Sequence, residues 1–138
     1  MKRFIYAVML LLGLSILGSC EKASSNGSVA NTLVGSWVDD EFGLDNLNNY
    51  LEFTKDKKFI YWGLVPEGSA TYSNGVLNTP AGCRWEKEFE GPYSISDAVL
   101  NVEDAMYLVF ITKVNNDKLH INWNGEHNWL RVKKVKTN

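Results

Sequence analysis

The chain contains 138 residues and carries 14 basic against 16 acidic side chains, a formal net charge of −2 at pH 7. This weak negative charge argues against a nucleic acid or an anionic lipid surface as a partner, because both attract basic proteins. Two cysteines exclude a disulfide-rich scaffold, so stability must come from the packing of apolar residues.

The chain begins with the features of an export signal. Lys2 and Arg3 precede a stretch of apolar or small residues over positions 4–17. A basic start, an apolar segment of this length and a small-residue cleavage site are typical of a secretory signal peptide, and the segment is short for a membrane span. We therefore predict a signal peptide over residues 1–19, with a single transmembrane anchor as the alternative.

Residues 17–20 read Leu-Gly-Ser-Cys and resemble the lipobox of bacterial lipoproteins. The resemblance implies cleavage before Cys20, acylation of the Cys20 thiol and anchoring in a membrane of the cell envelope, which we expect to be the outer membrane. An ordinary signal peptide with an incidental cysteine is the alternative. Lipidation of Cys20 leaves Cys83 as the remaining cysteine, so no intramolecular disulfide is expected.

Small polar residues without an apolar period follow Cys20, over positions 21–28. Such a composition is typical of a flexible linker, so we predict a lipidated tether over residues 20–32. The remainder, residues 33–138, has the size of one domain and is long enough to form a core without cross-links.

From residue 34 onward, short runs rich in β-branched and aromatic residues alternate with Gly, Asn, Asp and Pro. The pattern predicts an all-β fold of about eight antiparallel strands, with no room for parallel crossovers. Asn74-Gly75 and Asn124-Gly125 are typical of two-residue type I′ turns. Residues 39–49 predict a loop that covers one end of the β-structure. A sandwich and an up-and-down β-barrel both fit; we favour the barrel, because closure removes exposed strand edges.

Three segments, taken in order, resemble strand motifs of lipocalins and of lipocalin-like (calycin-type) lipoproteins from Gram-negative bacteria: residues 33–37 (LVGSW), 51–56 (LEFTKD) and 91–95 (GPYSI). The resemblance implies a lipocalin-like barrel that binds a small apolar or amphipathic ligand. It also implies that an Arg or Lys of the last strand lies across the first-strand Trp, here Arg131 across Trp37. One departure is Lys57, which stands where the family pattern often has Gly.

The last hairpin provides a separate prediction of where Arg131 lies. A two-residue loop at Asn124-Gly125 pairs Lys118 with Arg131 and, unless a bulge shifts the register, turns the Arg131 side chain outward, away from Trp37. The side chains that this register assigns together to the inner face are those of Leu119, Ile121, Leu130 and Val132.

The same register places His120 and His127 on one face, within reach of a shared metal ion. A metal site usually needs a third ligand and supporting hydrogen bonds, and only Glu126 and Asn122 are near in sequence. We therefore predict two solvent-facing histidines and no metal site.

The chain shows no pattern that predicts catalysis. Glu86, Glu88 and Glu90 alternate along one strand, which favours a solvated face over the facing carboxylates of a glycosidase. Cys83 has no base nearby in sequence and is interpreted as a buried, inert thiol. Nucleophile-elbow, metalloprotease, phosphate-loop and dinucleotide motifs are absent from the sequence. We expect no enzyme, no catalytic residue and no cofactor.

Five Trp, six Tyr and six Phe residues are more than a core of this size needs, and a cavity could be lined by them. Two functions stay open: ligand binding in a hollow barrel, or a filled barrel acting as a non-catalytic accessory or inhibitor subunit of another envelope protein. The expected partners are accordingly the membrane through the lipid, a small apolar ligand or an envelope protein, and no nucleic acid. The residues expected to bind the ligand are Trp37, Phe53, Tyr61, Trp85, Phe89, Tyr93, Phe110 and Trp123.

Overall fold

A computed structural model describes residues 25–102, 109–122 and 125–138, and over these ranges the chain is mostly antiparallel β-strand. The predicted all-β fold class is therefore confirmed. Within these ranges the helix α1 (Ser25–Leu33) precedes the strands β1 (Gly35–Asp39), β2 (Asn49–Phe53), β3 (Lys58–Val65), β4 (Thr71–Ser73), β5 (Val76–Asn78), β6 (Arg84–Ser96), β7 (Val99–Val102), β8 (Val109–Val114), β9 (Lys118–Asn122), β10 (Glu126–Val132) and β11 (Lys134–Lys136).

Eight of these strands pair in the order β1-β10-β9-β8-β7-β6-β3-β2, and β1 pairs with both β10 and β2, so the order returns to its start. We call this assembly the eight-stranded sheet. Its base is the end where β1 begins, at Gly35, and its mouth is the end where β1 finishes, at Asp39. Because every strand has two neighbours, none of these eight presents an unpaired edge.

The alternation of side chains along the strands sorts the apolar residues into two clusters. The outer cluster packs between the eight-stranded sheet and a smaller sheet, so this part of the wall is two layers thick. Its buried members are Val38, Leu47, Tyr50, Leu64, Ala70, Leu77 and Val132. The inner cluster consists of Leu33, Trp37, Leu51, Phe53, Phe59, Tyr93, Leu100, Ile111, Leu119, Ile121 and Trp129.

The smaller sheet has the order β11-β5-β4. Asn74 and Gly75 join β4 to β5 with φ of 50° and 83°, which confirms the predicted type I′ turn. The C-terminal strand β11 pairs with β5 in parallel, a pairing that the all-antiparallel prediction missed. Parallel strands that follow each other in the chain need a long crossover connection. β11 and β5 are far apart in the chain, and β11 follows β10 directly, so this parallel pair needs none.

The helix α1 lies at the base and overlaps the segment predicted to be a tether, residues 20–32. Val29 and Leu33 pack against the inner cluster, and Leu33 is fully buried. The predicted domain boundary at residue 33 thus falls on the last residue of a helix that packs onto the domain. Over the part of the chain that is described, none of the helical segments is both long and apolar enough to span a bilayer.

The predicted register of the last hairpin is wrong by one residue. Asn122 pairs with Glu126, so three residues and not two separate β9 from β10; two of them, Trp123 and Asn124, lie outside the described residues. A slip of one residue turns every side chain of a strand to the opposite face. Arg131 consequently faces inward, whereas Leu130 and Val132, which the sequence assigned to the inner face, contact the outer cluster.

Within the segment 39–49, residues 40–48 form a loop with turns and no helix, between the last residue of β1 and the first residue of β2. Leu47 is bound to Ala70 by two backbone hydrogen bonds, of 3.0 and 2.7 Å, and is buried in the outer cluster. Phe42, at the other side of the loop, is 77% exposed. The loop therefore fastens the mouth to the segment that leads into the smaller sheet.

Candidate functional site at the mouth

The base of the eight-stranded sheet is closed by a contact between its first and last strands. Trp37 pairs with Arg131 in the β1–β10 ladder, and the Arg131 guanidinium carbon lies 4.1 Å from the centroid of the indole ring. This cation–π contact confirms the placement implied by the lipocalin resemblance and corrects the one derived from a two-residue hairpin.

The same two side chains hold the C-terminus of α1. Trp37 Nε1 donates to the Leu33 carbonyl at 2.8 Å, and Arg131 Nη1 donates to the Val34 carbonyl at 2.8 Å. Arg131 Nη2 donates to the Thr32 carbonyl. The last carbonyls of a helix lack partners within it, and a cation at that end is stabilised by the helix dipole. The base is thus a structural closure.

Three of the predicted ligand-binding residues, Trp37, Phe53 and Tyr93, are buried in the lower half of the inner cluster. Ring centroids of Phe53 and Tyr93 lie 5.2 Å apart in an edge-to-face arrangement, and those of Phe53 and Phe59 lie 5.4 Å apart. Tyr93 Oη donates to the Thr54 carbonyl at 3.2 Å. These aromatic side chains fill the interior near the base by contacting one another.

Two further predicted residues, Tyr61 and Phe89, lie closer to the mouth as partners across β3 and β6. Phe89 is 38% exposed, and its ring centroid lies 6.1 Å from that of Phe59, which places it above the filled lower half. Burial and the nearby Glu88 carboxylate raise the pKa of Tyr61. Near the mouth, the ring of Phe89 is thus partly exposed to solvent, and the ring of Tyr61 lies close to a carboxylate.

Two clefts lie at the mouth, and one of them reaches the ring of Tyr61. One, of about 120 Å³, is lined by Tyr61, Glu67 and Glu88 together with Asn48 and Asn49. The other, of about 390 Å³, shares the two asparagines and extends to the loop that follows β1. The cleft beside Tyr61 thus combines an aromatic ring with amide and carboxylate groups.

A bulge in β6 changes the predicted row of three carboxylates. Tyr61 pairs with Phe89 but Trp62 pairs with Lys87, so Glu88 has no partner of its own. The alternation breaks there, and Glu86, Glu88 and Glu90 do not share one face, in contrast to the prediction. A Cβ at Gly63 would overlap Glu88 Oε1, so glycine at this position leaves room for Glu88 to reach across β3.

Trp85 does not line the interior, and its predicted role in ligand binding is corrected. Its ring packs edge-to-face on Tyr50 in the outer cluster at 5.0 Å, and its Nε1 donates to Thr79 Oγ1 at 2.9 Å. The half-buried Cys83 packs against the same cluster. Phe110 belongs to β8, but the surroundings of its side chain are not among the described features; Trp123 and Cys20 lie outside the described residues.

The predicted pair of histidines on one face is also wrong. His120 pairs with Asn128 and His127 with Ile121, so the two histidines point to opposite faces of the hairpin. His127 instead meets the end of β1, where its Nδ1 lies 3.3 Å from Asp39 Oδ2 and 2.9 Å from Glu41 Oε2.

Reasoning from the sequence missed this grouping because its members are far apart in the chain. A signal for it was present in the implied contact of Arg131 with Trp37. Once those two residues are paired, a step of two residues leads from Trp37 to Asp39, and a step of four residues leads from Arg131 to His127 on the same face.

A scan against protein-family models finds no match to the chain. Searches of curated proteins and of solved structures likewise find no match.

Proposed function

We propose that this protein is a lipid-anchored lipoprotein of the bacterial envelope whose eight-stranded sheet is a lipocalin-like barrel. Cys20 carries the lipid and attaches the domain to the outer membrane. The barrel binds a small amphipathic ligand at its mouth, with Tyr61 and Phe89 as the apolar wall. The protein has no catalytic role.

The observation that carries the ligand-binding proposal is the exposure of Phe89 on the inner side of the sheet. Covering an exposed aromatic ring removes apolar surface from water, and ligand sites combine such apolar surface with a few polar groups. Phe89 stands beside Tyr61, and the neighbouring cleft offers Asn48, Asn49 and Glu88 as polar partners. The apolar part of an amphipathic ligand would pack on the rings of Tyr61 and Phe89. Its polar head would form hydrogen bonds with the side-chain amides in the cleft.

The buried aromatic residues have a different part in this proposal. Trp37, Phe53 and Tyr93 form the floor beneath the ligand and do not surround it, because all three are buried in the inner cluster and the rings of Phe53 and Tyr93 contact each other. The ligand is therefore shallow, and its size is limited by the mouth.

The second candidate, a filled barrel that presents a surface to another envelope protein, is favoured by a different observation. Phe42 is 77% exposed on the loop after β1, and a single exposed aromatic residue at a loop tip resembles an interface anchor. In this alternative the inner cluster only supports the loop, and the cleft at the mouth stays empty.

The two candidates are separated by native mass spectrometry of the mature chain carrying Cys20→Ala, purified from a bacterial host. We expect additional mass that disappears on denaturation and belongs to an amphipathic molecule. Phe89→Ala is expected to lose that mass, whereas Phe42→Ala, which removes an equally large exposed ring, keeps it. A clean mass that persists after incubation with mixed envelope lipids would reject ligand binding and favour the protein partner.

A further inference from the structure

The cluster of Asp39, Glu41 and His127 at the mouth lies outside the aromatic wall and has no part in the proposed ligand contact. We propose that it is a binding site for one divalent transition-metal ion, with Zn²⁺ as the best fit. The ligands are His127 Nδ1 and one carboxylate oxygen from each acidic residue. The site is independent of the lipid and of the amphipathic ligand.

The backbone brings these side chains together at the point where β1 leaves the sheet. Asp39 is the last residue of β1 and pairs with Trp129, and the Asp40 amide donates to the Asn128 carbonyl at 3.0 Å. Hydrogen bonding between β1 and β10 thus continues one residue beyond the end of β1, up to the neighbour of His127. Glu41 follows in the turn, where its side chain can bend back over the strand end.

A hydrogen bond orients the Asp39 carboxylate. The Glu41 amide donates to Asp39 Oδ1 at 3.0 Å, which leaves Oδ2 free to face His127. Metal-binding carboxylates are commonly held in this way, with one oxygen engaged by the protein and the other directed at the ion.

The distances suit a tetrahedral ion. His127 Nδ1 lies 2.9 Å from Glu41 Oε2 and 3.3 Å from Asp39 Oδ2, and the three donor atoms all lie within 4.8 Å of one another. Around Zn²⁺ with bonds of about 2.0–2.1 Å, neighbouring ligand atoms are about 3.3 Å apart. Only small side-chain adjustments are needed to enclose the ion.

The state of the His127 ring supplies an independent observation. Its Nδ1 is buried from solvent and has no hydrogen-bond partner among the described residues, although two carboxylate oxygens lie close to it. A buried nitrogen without a partner is costly, and a well-aligned His–carboxylate bond would have removed that cost. A metal ion on the Nδ1 lone pair satisfies the nitrogen and both oxygens at once.

Charge and coordination number define the ion. Two carboxylates and a neutral imidazole balance a divalent cation, and imidazole with carboxylate ligands suits Zn²⁺ and its neighbours better than Ca²⁺ or Mg²⁺. Three protein ligands leave a fourth position, as in zinc sites that bind water or a small molecule. Asp39 also lines the larger cleft at the mouth, so the fourth position is reached from there.

The test is a Zn²⁺ titration of the mature chain, purified without an affinity tag and stripped with a chelator, against a chromophoric competitor. We expect one equivalent to bind, and Co²⁺ substitution to give the intense visible absorption of a tetrahedral site. His127→Ala and Glu41→Gln should each weaken binding on the order of 100-fold, because loss of supporting residues alone costs 10- to 100-fold.

Two matched controls keep the proposal falsifiable. His120→Ala removes the histidine on the opposite face, and Glu126→Gln removes a carboxylate next to His127 that is not a ligand; both should leave the affinity unchanged. Glu41 is half-exposed, so Glu41→Gln keeps the test valid even where His127→Ala disturbs folding. Absence of one-equivalent binding, or equal losses in the controls, would overturn the site in favour of a plain ion pair.

Discussion

At the scale of single residues, Arg131 joins three parts of the molecule. Its guanidinium stacks on Trp37 in β1 while it donates to carbonyls at the end of α1. Burial lowers the pKa of Arg131, and the charge of Asp117 opposes that change. The charge is held at the base by its hydrogen bonds, so the contact has a structural purpose.

We expect Arg131→Met to lower the free energy of unfolding by about 3 kcal/mol, because the cation–π contact and two charged hydrogen bonds are lost. Arg131→Lys should lose about half as much, since an ammonium group cannot reach both carbonyls as a fork does. Chemical denaturation measures both. The control is Arg84→Met, whose exposed pair with Glu86 contributes about 0.5 kcal/mol or less.

The raised pKa of Tyr50 predicts how the free energy of unfolding changes at alkaline pH. Burial, with a smaller contribution from the Glu52 charge, raises the pKa of Tyr50 from 10.0 to about 12. The unfolded chain therefore releases this proton at lower pH than the folded protein does. The contribution of the Tyr50 phenol to the free energy of unfolding is complete below pH 10 and is lost as the pH rises from 10 to about 12. The loss amounts to about 2 kcal/mol.

Urea titrations between pH 8 and 12 should show this loss in the wild-type chain. Tyr50→Phe keeps the stacking on Trp62 and the edge-to-face contact with Trp85 but has no proton to release, so its stability should fall less steeply. Burial also raises the pKa values of Tyr61, Tyr72 and Tyr93, so part of the slope is expected to persist. An unchanged slope in Tyr50→Phe would contradict the assignment.

At the scale of elements, the β2–β3 hairpin shows how a turn tolerates an unfavourable residue. Lys57 has φ of 60°, in the left-handed region that favours Gly. The Lys57 amide donates to the Thr54 carbonyl at 3.1 Å, and the Lys58 amide donates to Thr54 Oγ1 at 3.0 Å. These bonds hold the turn although the residue at its corner is not glycine.

Lys57→Gly is expected to raise the free energy of unfolding by about 1 kcal/mol, because glycine accepts positive φ without steric cost. Thermal unfolding followed by circular dichroism measures the gain. Lys55→Gly serves as the control, since Lys55 does not have a positive φ and glycine there should be neutral or destabilising. Equal effects of the two substitutions would show that the Lys57 conformation carries no strain.

The bulge in β6 has a similar local cause and a larger consequence. If alternation continued regularly through Glu88, Trp85 and Phe89 would be four positions apart and would face the same side, as the sequence pattern predicts. The shift sends Trp85 to the outer cluster, next to Tyr50, while Phe89 stays beside Tyr61. One unpaired residue thus decides which aromatic side chains reach the mouth.

At the scale of the whole molecule, attachment of a lipid to Cys20 is predicted independently of the fold of the domain, and it is tested separately. Full-length protein expressed in a Gram-negative host should incorporate labelled palmitate and sediment with the outer membrane. Cys20→Ala should abolish both, and Cys83→Ala, which removes the half-buried cysteine of the folded domain, should abolish neither. Each acyl chain adds about 0.8 kcal/mol of membrane affinity per buried methylene, so several chains give stable anchoring. Unchanged labelling of Cys20→Ala would reject the lipoprotein assignment.

The amino-acid sequence by itself determined the all-β class, the type I′ turn at Asn74-Gly75 and the identity of Trp37 as a buried first-strand residue. These depend on local signals: residue preferences, alternation and turn chemistry act within a few positions of the chain.

Only the tertiary structure decided the register of the last hairpin, the outward position of Trp85 and the meeting of His127 with Asp39 and Glu41. Each of these depends on a loop length or a bulge that shifts a strand by one residue, and such a shift exchanges the two faces of every position beyond it. Pairing between the first and last strands is set by closure of the sheet order, which brings distant residues together without any local mark in the chain.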